Sequence, residues 1–450
     1  MNTQTVLRGA LFAAVSSIAL AFPAMAQTDQ SRLDALEAQI GALQSELETL
    51  KAERASAPAA STDAETPQTN VELRPGPRFS SADGAFTFRP RGRIELDTAI
   101  FDADGADFNS GTQLRRARLG VEGRIASVFG YRFEVDLANA GRDDGGEEVA
   151  IQDAYFQYVG IENLTLTLGQ HKTPNSLERL ASSPNLLFLE RAIPVETFTN
   201  ASDAGGDRRV GISAAYAGEN WTVSAGYFGE PVNISGASGN DEGSGLHGRV
   251  TFAPVDTETR LIHVGLSGYA RDTAGRRTVR FRDRPEVRVD NRRIVDTGAI
   301  AADGYDFIGL EGIAAFGPVF ATGEYTVTSV DRIGAGLGDV TFDGFYVSGG
   351  WFLTGERLPY ADGVIDRVRP NNPFEPGKGL GAFALTARYS TIDLNDAEIA
   401  GGEADIITAG LNWYPNQYLR VLFDFSHFDS SRNGVDLDGN VGALRVAADW

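Results

Sequence analysis

The chain has 450 residues, with 61 acidic against 40 basic side chains and a formal net charge of −21, a balance that argues against a nucleic-acid partner. It has no cysteine, which excludes thiol lipidation, a disulfide framework and any thiolate nucleophile or metal ligand. With 42% hydrophobic residues, 52 glycines and no long apolar run beyond the N-terminus, the composition suits an all-β protein with many turns.

Residues 1–26 read as a secretory signal peptide. Arg8 supplies the positive region, "GALFAAVSSIALAF" the apolar region, and Ala24-Met25-Ala26 a small-residue cleavage site. The apolar run is too short for a membrane anchor and is broken by Pro23. Residues 29–54 place Leu33, Leu36, Ile40, Leu43, Leu47 and Leu50 at alternating spacings of three and four, the seam of a coiled coil. Glu46 and Lys51 suit a parallel pairing, so this helix is predicted to self-associate, with the number of strands left open. Residues 55–80, rich in Ala, Ser, Thr and Pro, read as a flexible linker.

Residues 81–450 read as one β-barrel. Period-2 segments are predicted at 86–101, 114–126, 130–140, 149–160, 164–173, 208–217, 220–229, 245–254, 260–271, 304–316, 319–331, 340–355, 381–394, 404–414, 418–430 and 440–450. The gaps tend to alternate short and long, as turns and loops do at the two ends of an outer-membrane barrel. The gap at 356–380 breaks that rule. Tyr131, Phe133, Val135 and Leu137 oppose Arg132, Glu134 and Asp136, while Ile94, Leu96 and Ile100 oppose Arg93, Glu95 and Asp97. In a soluble sandwich the apolar face would be core; in a barrel it faces lipid and the charged face lines water. Sixteen such segments behind a signal peptide, ending on "ALRVAADW", favour a sixteen-stranded antiparallel transmembrane β-barrel around a water-filled channel. Acids at 141–148 and 392–405 read as solvated outer loops.

One stretch opposes the overall acidity. Arg271 to Arg293 holds nine Arg against four acids, a local balance of +5. Fields of solvated charges decay within about 8–10 Å, so a basic lumen is compatible with an acidic exterior. An enzyme reading finds no support: His171, His247, His263 and His427 sit on different segments with no adjacent nucleophile signature, and no cofactor or metal site is implied.

The segments "LTLGQHKTPNSLERLASSPNLLFLER" (164–191), "WFLTGERLPY" (351–360), "GLGAFALTARYSTIDLND" (379–396) and "AGLNWYPNQYLRVLFDF" (409–425) resemble the signature segments of the phosphate-selective porin O and P family. The resemblance implies a homotrimer of sixteen-stranded barrels in the outer membrane, among outer-membrane lipid and lipopolysaccharide, with the coiled coil in the periplasm. It implies an arginine-lined path for inorganic phosphate or other anions, narrowed by the third and fifth outer loops and one long periplasmic turn. Arg280, Arg282, Arg284 and Arg288 resemble the family's arginine ladder; Arg93, Arg115 and Arg116 match its other segments, and Lys172 opens the third loop as a point charge for phosphate. Arginine suits this task because its fork grips oxyanions and stays charged at any working pH. Two alternatives stay open: a general or organic-anion porin, and an envelope tether in which the barrel is only an anchor.

Overall fold

The structure, a computed structural model, describes residues 29–56, 69–73, 76–138, 149–200, 207–232 and 241–450. The signal-peptide reading and the acidic stretch 141–148 lie outside the described residues. The chain divides into two units, residues 1–66 and 67–450. In the first, α1 (Asp29–Ser56) is an unbroken helix. Its seam residues Ile40, Leu43 and Leu47 are 53%, 65% and 54% exposed, so the helix does not cover its own apolar stripe.

The second unit is built on sixteen long strands: β1 (Thr87–Asp104), β2 (Gly111–Ile125), β3 (Phe129–Asp136), β4 (Ala150–Ile161), β5 (Leu164–Lys172), β6 (Arg208–Ala217), β7 (Trp221–Phe228), β8 (Gly245–Asp256), β9 (Arg260–Asp272), β10 (Ile300–Phe316), β11 (Val319–Arg332), β12 (Val340–Phe352), β13 (Ala382–Asp396), β14 (Ile399–Tyr414), β15 (Leu419–Arg432) and β16 (Val435–Asp449). Each pairs antiparallel with the next, and β16 returns to β1 from Asp438↔Asp104 to Asp449↔Arg93. The sheet is therefore closed, which satisfies its backbone without water. At the closing seam Trp450 exchanges backbone hydrogen bonds with Gly92 at 3.0 and 3.2 Å. A Cβ at position 92 would stand 2.0 Å from the Trp450 ring, so only glycine lets the end of the chain lie against β1.

Large apolar residues stand exposed around the outside, among them Leu96, Ile212, Val264, Leu310, Val347 and Phe423, while Arg93, Glu95, Asp97, Arg249, Glu311 and Arg445 are buried inside. This is the inside-out pattern of a barrel that faces lipid.

Two sequence expectations change. The stretch 392–405 is not an outer loop: β13 and β14 run through it and turn over Ala397 and Glu398. Likewise β16 begins at Val435, after a tight turn with Asn433 and Gly434 at φ 53° and 74°, the left-handed pair of a two-residue hairpin. In both places acids on the outward face of strands imitate a loop composition. Within the span read as linker, Thr69–Glu72 pairs with Arg78–Ser81, which in turn pairs with the start of β1.

Three connections fold inward. Loop 3 (173–207) carries the short helices α2 (Leu177–Leu180) and α3 (Ile193–Thr199), and almost all of its described residues are buried. Loop 5 (273–299) packs beside it through Phe281, Val287, Ile294 and Val295. From the opposite end, the long connection 353–381 packs Leu358, Ile365 and Val368 against Leu177, Leu186 and Phe188 of loop 3.

Candidate functional site: a basic cavity beside loop 3

Loop 3 is held by charges and peptide groups rather than by length of helix. The first N–H groups of α2, at Leu177 and Glu178, donate to Glu324 at 3.0 and 2.8 Å. Those of α3, at Ala192 and Ile193, donate to Glu178 and Glu286 at 2.8 and 2.7 Å. Helix N-termini otherwise leave such donors unpaired, so these carboxylates fix both helices. The loop's apex reaches the far wall, where Leu189 N–H donates to Asp424 at 2.8 Å and Arg388 donates to the Glu190 carbonyl at 3.0 Å.

Glu190 is the loop's main electrostatic anchor. Arg115 grips it through two hydrogen bonds, 2.7 and 3.1 Å, and Arg445 meets it at 2.7 Å. Arg116 stands 3.8 Å away and pairs with Glu95 at 2.5 Å. A register shift between β1 and β2 at Glu95/Leu96 explains how two consecutive arginines both turn inward: the bulge leaves Arg115 without a strand partner and re-aims its side chain. Burial alone would raise the Glu190 carboxyl, but Arg115, Arg116 and Arg445 hold it well below the usual carboxylate range.

Between loop 3 and the wall of β1–β6 lies a cavity of about 200 Å³ lined by Arg93, Arg115, Arg116, Arg118, Lys172, Arg179, Arg191 and Arg208, against only Asp136, Glu196 and Asp207. Most of these cations carry carboxylate partners: Arg118 with Asp136, Arg179 with Glu196, Arg208 with Asp207. Three are bound only to neutral groups among the described residues. Arg93 donates to Ser183 and Ser182 at 2.6 and 3.2 Å. Lys172 donates to the carbonyls of Arg179, Leu180 and Ala181, and Arg191 to those of Glu178, Arg179 and Ala181. Burial and the charge of Arg179 lower Arg191 to about 10, which leaves it charged at neutral pH. The Nε–H groups of Arg93 and Arg116 are buried and find no acceptor among the described residues. A buried donor without a partner is costly, and an anion in this cavity would supply one.

Two further cavities continue toward the opposite end of the barrel. One, of about 230 Å³, shares Lys172, Ser182 and Arg208 with the first; the next, of about 270 Å³, shares Arg132, Tyr155 and Gln157 with the second and is bordered by Arg89 and Arg124. Arg280, Arg282, Arg284 and Arg288 line none of these three. Arg280 makes a two-point bond to Asp296 at 2.7 and 2.5 Å, Arg282 sits where the chain pairs with Asp296, fully buried Arg284 meets Asn291 at 2.9 Å, and Arg288 bridges Glu196 and Asp283 at 3.1 and 3.0 Å. The run is not extended throughout, since Glu286 turns the chain at φ 55°.

A family model described as "Phosphate-selective porin O and P" matches residues 88–449, which is nearly the whole barrel. The chain belongs to this family. As a porin it is a channel by family and fold, and its barrel is that of the outer membrane. Among relatives, an uncharacterised protein of Caulobacter vibrioides is 32% identical over 88% of this chain and 80% of its own length. Porin O of Pseudomonas aeruginosa is 25% identical over 84% of this chain and 91% of its own length. Two solved structures share the barrel: an anion-selective porin from Comamonas acidovorans (14% identity, TM-score 0.52, 80% of this chain and 99% of that one) and OmpT of Vibrio cholerae (13% identity, TM-score 0.51, 81% and 98%).

In this porin the cavity brings together Arg93, Arg115, Arg116 and Lys172 of the residues expected from sequence, and adds Arg118, Arg179, Arg191 and Arg208. Arg118 was legible, being two positions from Arg116 on the same inward face. Arg191 was not: it lies in a loop with no periodicity to give its direction.

Proposed function

We propose that the protein conducts anions across the outer membrane and prefers phosphate or related oxyanions, with the seat of selection in the cavity of Arg93, Lys172 and Arg191. The observation that carries this reading is the absence of any carboxylate partner on these three buried cations among the described residues, beside the unpaired Nε–H groups of Arg93 and Arg116. Charge attracts any anion; the arginine forks and the hydroxyls of Ser182 and Ser183 favour one with several oxygen acceptors. Lys172 has its donors occupied by the carbonyls of Arg179, Leu180 and Ala181, so it shapes the cavity by holding loop 3 rather than by gripping the anion. The name of the Comamonas acidovorans barrel, an anion-selective porin, agrees with this reading. The loop cations Arg280, Arg282, Arg284 and Arg288 act mainly by tying loop 5 to its own acids and to Glu196.

The test is block of chloride current by phosphate in planar bilayers. Phosphate should suppress the current well below the chloride concentration; current indifferent to phosphate would leave a general anion porin. Replacing Arg280 and Arg282 with Lys should leave this block unchanged, whereas Arg93→Lys, which removes the fork and keeps the charge, should weaken it.

The protein is further proposed to act as a homotrimer, with α1 forming a parallel three-stranded coiled coil in the periplasm and the barrel wall in contact with lipid and lipopolysaccharide. The bare seam of Ile40, Leu43 and Leu47 supports a partner for α1. Deleting residues 29–54 should weaken trimers in mild detergent without abolishing them and should leave conductance intact. A loosened envelope with unchanged conductance would favour the tether reading for this helix.

A further inference from the structure

The three cavities differ in how their cations are compensated, and that difference has a direction. In the first, Arg93, Lys172 and Arg191 make no salt bridge among the described residues. In the second, the two arginines share one carboxylate: Asp153 accepts a hydrogen bond from Arg208 Nε at 2.7 Å and forms an ion pair with Arg132, its other oxygen 3.0 Å from Arg132 Nε. Arg132 also meets Glu134 at 3.1 Å, and Arg208 meets Asp207 at 3.1 Å. In the third, Glu122 pairs with Arg89 at 3.5 Å and with Arg132 at 3.9 Å, and the cations without a carboxylate partner among the described residues, Arg78 and Arg124, are exposed to solvent, which screens them. Attraction for an anion therefore falls from the first cavity toward the turn end of the barrel.

We propose that Asp153 is a specificity-determining residue for conduction: its carboxylate competes with the permeant anion for Arg132 and Arg208, so that the middle cavity passes the anion on instead of trapping it. This rests on the anion-path reading above. Asp153 is suited to the role because it is buried, lies on β4 facing the cavity, and gives one oxygen to each arginine. An oxyanion arriving from the first cavity meets guanidinium groups whose forks are already partly occupied, and binding there is weak enough to allow exit. Conduction requires this balance, since a second seat as strong as the first would hold the anion.

The experiment compares the full-length wild-type porin with Asp153→Asn in bilayers, titrating phosphate and reading the concentration of half-maximal conductance. Freed of its competitor, the middle cavity should bind phosphate more tightly, so half-saturation should fall by about tenfold, the factor equivalent to about 1.4 kcal/mol, and the maximal conductance should fall with it. The double variant Asp153→Asn with Arg132→Gln removes one of the liberated cations and should return half-saturation toward wild type. If Asp153→Asn does not assemble, Asp153→Glu carries the test, because a longer carboxylate keeps the charge while shifting its contact with Arg132 and Arg208, and half-saturation should then stay close to wild type. Unchanged half-saturation in the assembled variant, with Arg93→Gln still weakening phosphate binding, overturns the role of Asp153 and leaves the path standing. Unchanged behaviour in Asp153→Asn and Arg93→Gln alike overturns the path itself.

Discussion

Replacing Arg93 and Arg191 together with Gln is expected to raise the phosphate concentration needed to block chloride current by about tenfold or more for each residue. A hydrogen bond to a charged group contributes about 1.5–3 kcal/mol, and each substitution removes one such donor set together with a full buried charge. Glutamine at 191 keeps an N–H near the position that meets the Glu178 carbonyl, and loop 3 keeps its anchors at Glu190, Glu324 and Glu286, so the loop should remain seated. The reversal potential under a salt gradient should move toward zero as well, because two of the three buried cavity cations without a carboxylate partner among the described residues are gone. Phosphate titration of single-channel current checks both effects; a variant with unaltered block would move the seat of selection elsewhere in the lumen.

The second large effect concerns stability. Glu190→Gln should release the apex of loop 3, because Arg115, Arg116 and Arg445 would lose a shared counter-charge in a site where all are buried or nearly so. Breaking a buried pair by removing one partner costs about 3–5 kcal/mol. The variant should melt earlier in heat-modifiability gels and show noisier, larger conductance, since loop 3 then fills the lumen less firmly. The pH dependence follows from the sign of the shift. Glu190 is depressed in the folded state, so its contribution is complete above the unfolded carboxylate value of about 4.3 and is lost as pH falls through the folded value beneath it. The stability gap between wild type and Glu190→Gln should therefore stay constant from neutral pH to about pH 5 and close only in stronger acid.

The barrel was legible because strand period and lumen charge agree. Ile94 and Leu96 alternate with Arg93, Glu95 and Asp97, and the structure sets the first group toward lipid and the second inside. The loop-end hairpins after β13 and β15 were not legible at their edges, because Asp393, Glu403 and Asp405 sit on the outward face of strands, where acids look like loop composition. Arg93 and Arg116 were legible as inward residues, and the bulge that turns Arg115 inward was not. The arginine run of loop 5 stood out in composition, but its partners were not legible: Asp296, sixteen positions on in the same loop, for Arg280, and Glu196 of loop 3 for Arg288. Loop 3, which brings Arg191, Ser182 and Ser183 to the cavity, has no repeat that a sequence reading can orient. Its course is set by Glu324, Glu286 and Asp424, far apart in the chain.

The central claim is that the lumen selects anions through buried cations that make no salt bridge among the described residues. The measurement that addresses it most directly is the zero-current potential of the wild-type porin in a planar bilayer under a tenfold gradient of potassium phosphate, repeated in potassium chloride. The account predicts a potential of the anion-selective sign in both salts, with chloride conductance blocked by added phosphate. A potential near zero or of the cation-selective sign would contradict it, and would assign the cavity of Arg93, Lys172 and Arg191 to the bracing of loop 3 alone.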